Sequence, residues 1–252
     1  MWKELKGLFR RESLCNEAFK EALAMLEASR EMFLDAVPSL WKEGPLDVNI
    51  YTRDRQINKY ERSVRRKIVT HLAVSNNPDA NMALVLTSIV VDIERIGDYT
   101  KNIVELAAET NEAFDAGALE QDIRGIERTV TGMFGDIIPA LQNHDIDRAR
   151  KIIADHEELT DLVETRLRDL ATGAALAEDS GAAVIAALYL RYLKRISAHI
   201  KNVATSVVNP YYRIGFREKG TYKSRPEDLE DDRERDHDAD DDEDRDDEDE
   251  ED

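Results

Sequence analysis

The stretch Asp92-Ile93-Glu94-Arg95-Ile96-Gly97-Asp98-Tyr99-Thr100-Lys101-Asn102-Ile103 decides the fold. It lies in a proline-free run from Met82 to Leu106. The apolar positions Ile89, Ile93, Ile96, Thr100, Ile103 and Ala107 are spaced by three and four, the periodicity of an amphipathic α-helix. Glu94 and Asp98 are one turn apart, so their carboxylates stack on one face. At about 100° per residue, that face lies roughly opposite the isoleucine stripe.

A second stretch, Arg191 to Val203, echoes the first at a shift of one hundred. Arg95-Ile96 recurs as Arg195-Ile196, and Lys101-Asn102 as Lys201-Asn202. The stripe recurs as Tyr189, Leu193, Ile196, Ile200, Val203 and Val207, whereas Glu94 becomes Lys194 and Asp98 becomes Ala198. The core face is kept and the acidic face is not, which is what a tandem duplication leaves behind.

Working outward, the first helix covers residues 12–37, with Cys15, Ala18, Phe19, Ala22, Leu26, Ser29, Phe33 and Ala36 inward, and Pro38, Gly44 and Pro45 break it. The second runs from about Leu46 to Asn76 with Ile57, Tyr60, Val64, Ile68 and Leu72 inward, and Asp79 is placed to cap the third, which ends near Asn111. The fourth spans roughly Leu119–Gln142, weakened by Gly125, Gly132 and Gly135; the fifth spans Ile146–Ala171; the sixth spans Ala182–Val208 and ends at Asn209-Pro210. Nothing alternates as a strand does. The expected fold is all-α: two tandem three-helix bundles of six long antiparallel helices, with a disordered acidic C-terminal tail. The expected divisions are residues 1–112, 113–210, a basic and aromatic linker at 211–225, and the tail at 226–252.

Charge sits in one place. Of the chain's 252 residues, 226–252 hold 20 Asp/Glu against 3 Arg, a net of −17 out of −19. Such a segment buries no core. The remaining 225 residues carry 34 acidic and 32 basic side chains, a net of −2. That argues against nucleic acid as a main ligand, because no basic excess offsets phosphate charge. Cys15 is the single cysteine and falls on an apolar stripe, so it reads as a buried thiol. No segment reaches the ~20 apolar residues of a membrane span, and Met-Trp-Lys-Glu-Leu-Lys lacks a signal-peptide core. A cytoplasmic protein is expected. Residues 2–10 alternate Trp2, Leu5, Leu8 and Phe9 with basic side chains, the pattern of a bundle cap or of an interfacial contact.

Glu94-Arg-Ile-Gly-Asp98 followed by Asn102, doubled near one hundred residues, resembles the PhoU-domain family of phosphate-uptake regulators. Asp54-x-x-Ile57-Asn58 resembles that family's second short motif, and the likeness spans about residues 12–208. Length and first helix are most similar to the stand-alone branch that accompanies low-affinity phosphate permeases. The resemblance implies a six-helix tandem bundle that restrains uptake or signalling when phosphate is plentiful. It implies as partner a phosphate permease, an importer component or a signalling protein, met at the inner face of the membrane, with a homo-oligomer open. It also implies metal ions on the acidic motifs.

On the residues themselves, Glu94 and Asp98 offer hard oxygens suited to Mg, Mn, Fe or Zn ions, and a neighbouring helix must add a third. The resemblance points to Asp54 for that place, with Asp92 as a weaker alternative. The other reading of the same face is solvated carboxylates paired with Arg95 or Lys101. Repeat two is expected to hold no metal, because Lys194 and Ala198 replace the ligands; Lys194, Arg195 and Lys201 would pair with carboxylates or meet an anion. Asp155-His156-Glu157-Glu158 aligns with the Asp54 region to within one residue, and His156 reads as a surface residue. His71 and His199 read as bundle residues. No nucleophile constellation or phosphate-cradling loop occurs, and no Glu-x-x-His pair lies in the bundle cores, which weighs against an enzyme. The alternatives are a carboxylate-type metal store or metalloenzyme, and a helical scaffold that binds basic partners through its acidic tail.

Overall fold

The computed structural model describes residues 14–47, 49–75, 80–110, 112–176 and 179–218. The compact unit considered below ends at Arg217. The amphipathic lead-in at 2–10, the Asp79 cap and the acidic tail lie outside the described residues.

Six helices make up the body: α1 (Leu14–Leu40), α2 (Ile50–Val74), α3 (Ala80–Glu109), α4 (Glu120–Asn143), α5 (Ile146–Ala171) and α6 (Ser180–Val208). No strand occurs among the described residues. The first three pack into one three-helix bundle and the last three into another. Both expected stripes, on α3 and on α6, are buried along their whole length.

The bundles are not separate lobes. Helices α3 and α6 pack on each other as extensively as on the helices of their own bundles, and the core of the described residues is continuous across them. Asp92 on α3 meets His199 on α6, and Tyr99 on α3 meets Tyr192 on α6. Adding one hundred turns 92 into 192 and 99 into 199. The two helices therefore run antiparallel, and the contact maps onto itself when the repeats are exchanged, as in an isologous dimer. Phe33 on α1 and Phe134 on α4 extend the same relation, with ring centroids 5.3 Å apart. Burying a ring of this size stabilises by about 1.5–3 kcal/mol.

Several local expectations need correction. Pro38 does not end α1, which continues to Leu40. It sits in the last turn, where a missing N–H removes only one helical bond. Pro139 lies inside α4 in the same way. The pairs 33/134 and 38/139 share a shift of 101, so the duplication reaches the first helix of each repeat. Leu72 points outward, and His71 takes the inward place one residue earlier. The glycines of α4 leave a single helix. Asp145 and Asp179 cap α5 and α6 by accepting from the amides of Arg148 and Ala182, each worth about 1 kcal/mol. Residues 211–217, expected as part of a linker, fold back on the body. Asn209 donates to the carbonyls of Arg213 and Phe216, and Lys201 donates to that of Gly215.

Between the bundles, α1 ends in a cluster that the stripe pattern hid. Glu127 is buried in the apolar face of α4, and one of its oxygens accepts from Trp41 Nε1 at 2.7 Å and from Tyr189 OH at 2.6 Å. The Arg124 guanidinium lies 3.7 Å over the Trp41 ring, and the ring of Phe114, in the inter-repeat connection, packs on Trp41 with centroids 5.0 Å apart. Lys42 donates to the carbonyl of Ala107 in the last turn of α3 and to that of Thr110 just beyond it.

Candidate functional site

Gly97 explains how α2 and α3 bring their acidic residues together. A Cβ there would stand 2.8 Å from the Ile57 Cδ1 methyl, so glycine permits the close approach. Gly97→Ala should change stability by less than about 1 kcal/mol, because the helix-propensity gain offsets displacement of a flexible methyl. Gly97→Val should cost about 2–3 kcal/mol through overpacking and χ1 restriction. Urea unfolding of both variants reads the difference.

Across that contact, Lys101 Nζ donates to Asp54 Oδ1 at 3.1 Å and to Asp98 Oδ1 at 3.0 Å. Arg95 donates to the other oxygen of Asp98 at 3.0 Å and lies 3.5 Å from Glu94. Asn58 turns its amide back onto Asp54. The Glu94 carboxyl is pushed up, first by burial and then by the Asp98 charge; Arg95 opposes this, and Glu61 and Asp54 add to it. Burial works to lower the Lys101 ammonium, but its bonds to Asp98 and Asp54 win and hold it above its ordinary range. Helix α3 thus meets an acidic residue of α2, not of the other repeat.

Asp54 and Asp98 thus share one ammonium, while Glu94 is left with Arg95 as its counter-charge. Lys101 Nζ stands between Asp54 and Asp98 and bridges the two carboxylates. Among the described residues, no three His, Cys, Asp or Glu side chains come within common reach of one metal. Asp92 is not part of this site. It faces α6, where its Oδ1 accepts from Asn202 Nδ2 at 2.9 Å and lies 2.8 Å from His199 Nδ1. Tyr99 stacks on His199, and Arg195 donates to the Tyr99 hydroxyl.

Repeat two inverts the charge of the same location. Lys194 replaces Glu94 and pairs with Glu164 on α5. Ser197 replaces Gly97, and its Oγ lies 2.9 Å from His156 Nδ1. His156 meets Ser197 as Ile57 meets Gly97 in repeat one. It is not a surface residue. Burial, with the charges of Lys201 and Lys194 adding to it, lowers its pKa to about 4. Lys201 is itself lowered, by burial.

The α3/α6 seam and the Glu127 cluster escaped sequence reasoning. Each left a signal: Glu127 and Tyr189 are polar groups on otherwise apolar stripes, and Asp92/Tyr192 and Tyr99/His199 change chemistry between repeats at positions that face each other.

Comparison with known proteins follows this two-fold plan. The PhoU domain family matches residues 16–107 and again 123–207. A relative from Pseudomonas putida, named a phosphate-specific transport system accessory protein PhoU homolog, is 26% identical over 80% of this chain and 84% of its own. One of the same name from Deinococcus radiodurans is 29% identical over 78% of this chain and 93% of its own. The crystal structure of PhoU from Pseudomonas aeruginosa superposes with a TM-score of 0.69 at 25% identity, covering 77% of this chain and 95% of that one. The PhoU regulatory protein of Streptococcus pneumoniae shares the fold, with a TM-score of 0.65 at 17% identity, over 77% of this chain and 93% of its own. Two domain matches that coincide with the two helical triplets leave one conclusion: the chain belongs to the PhoU domain family.

Proposed function

We propose that this protein is a non-catalytic accessory of inorganic phosphate transport that regulates by docking on a phosphate permease, an importer component or an associated signalling protein. The observation that carries this reading is the pair of PhoU domains over residues 16–107 and 123–207, together with relatives named as accessories of phosphate-specific transport systems. The test is chemical cross-linking in cells of the source organism, with mass spectrometry of what is joined to the chain. A phosphate transporter or its signalling protein is the expected product; cross-links only to proteins unconnected with phosphate would contradict it.

Glu94, Asp98 and Asp54 are proposed to hold a divalent or trivalent cation in repeat one, and repeat two to hold none. Support comes from the oxygen donors, from the raised Glu94 carboxyl and from the positive charge at Lys194. Bound metal would supply the counter-charge that Lys101 now supplies. Calorimetric titration of the full chain with Mn²⁺ tests this, since the acidic tail adds the same background to every variant. Glu94→Gln/Asp98→Asn should remove one binding step, and Lys101→Met should tighten it. An unchanged isotherm for the double variant sinks the site.

A further inference from the structure

We propose that the outward face of α2 is a docking surface for an anionic lipid bilayer. Tyr51, Arg55, Lys59, Arg62, Arg66 and Val69 follow at intervals of four, four, three, four and three. At 100° per residue they fall within about 80° of arc, opposite the buried Ile57, Val64 and Ile68. All six are exposed, Tyr51 at 54% and Val69 at 67%. The row runs about 27 Å along the helix.

Several neighbouring cations of the same repeat are paired. Arg53 reaches Asp35 and Asp47, Lys67 reaches Glu17 and Glu21, and Arg65 reaches Glu61. Lys59, Arg62 and Arg66 have no ion-pair partner among the described residues, and Arg55 donates only to Thr52. The two acids of α2 are engaged elsewhere, Asp54 with Lys101 and Glu61 with Arg65. The carboxylate that does touch the row is Glu105 of α3, which accepts from the Tyr51 hydroxyl at 2.9 Å at one end and leaves the four cations unpaired.

The arrangement selects a bilayer over a protein. Protein interfaces place aromatic or apolar anchors at the centre and charge at the rim. Here the centre is cationic, and the apolar groups, Tyr51 and Val69, stand at the two ends. A straight, convex row with amphipathic ends fits an extended negative surface, to which each near-surface Lys or Arg contributes about 1 kcal/mol. Screening limits each charge to about 10 Å at 0.1 M salt, so a local row acts despite the chain's overall charge of −19. The inference does not depend on a transporter being the partner.

Flotation of the full chain with vesicles of phosphatidylglycerol and phosphatidylcholine in equal parts tests it. We expect binding to these, none to phosphatidylcholine alone, and release at about 0.5 M salt. Lys59→Glu/Arg62→Glu should weaken partitioning by at least about 30-fold. Arg128→Glu/Arg191→Glu makes the same net charge change on repeat two and should leave partitioning within about threefold. Circular dichroism checks that these exposed substitutions leave the helices intact. Absence of flotation, equal binding to neutral vesicles, or equal loss in both pairs overturns the proposal. So does retention of the full chain on immobilised polyglutamate without vesicle binding, which would assign the row to an acidic protein.

Discussion

Glu127→Ala should lower unfolding stability by about 3–5 kcal/mol, whereas Glu127→Gln should cost less than about 1 kcal/mol. The alanine leaves two buried donors, Trp41 Nε1 and Tyr189 OH, without an acceptor, and each stranded group costs about 1–3 kcal/mol. Glutamine keeps a carbonyl oxygen in reach of both. The buried carboxyl is itself pushed up, first by burial, against the hydrogen bonds of Tyr189 and Trp41 and the Arg124 charge. A raised acid pKa means the folded chain holds its proton longer than the unfolded chain. This contribution to stability is complete below the unfolded pKa and is lost as pH rises through the folded one. Glu127→Gln should remove that slope. In a Trp2→Phe background Trp41 is the single remaining tryptophan, and its fluorescence then reports the cluster directly. An alanine variant as stable as the glutamine one would show that the cluster does not join the bundles.

His156 should produce an acid-side loss of stability confined to repeat two. Its folded pKa is about 4, against an ordinary value of 6.5. The sign is fixed by which state takes the proton first. Below pH 6.5 the unfolded chain protonates and the folded chain does not, so stability is full above that value and drains as pH falls toward 4. The groups around the ring are Ser197 and Thr160, with Lys201 and Lys194 further off, and among the described residues no carboxylate pairs with it. The full difference corresponds to roughly 3 kcal/mol. Chemical denaturation of the parent and of His156→Gln at pH 7 and pH 4 should show the parent losing that amount relative to the variant. Equal losses would place the ring in solvent.

The fold was legible because both its signals are periodic. The stripes of α3 and α6 and the shift of one hundred between them follow from 3.6 residues per turn and from duplication, and neither needs tertiary knowledge. Helix ends were less legible, since Pro38 terminates a helix only where bonds beyond it are lost. At the site, Glu94 and Asp98 share a face by spacing alone, but the approach of Asp54 depends on Gly97 admitting Ile57, and no one-dimensional pattern encodes a crossing distance. Lys101 was visible as a pairing partner for the acidic face, yet its place between two helices was not. His156 shows the general limit. A polar residue among charged neighbours reads as solvated until the facing helix, here with Ser197, is known to cover it.

Phosphate uptake under phosphate-replete conditions tests the central claim most directly, measured in source cells that lack the gene and again with the full chain restored. The account predicts that uptake, or the phosphate-starvation response, rises without the protein and falls back when it is restored. Uptake and response that stay the same in both cells would contradict it.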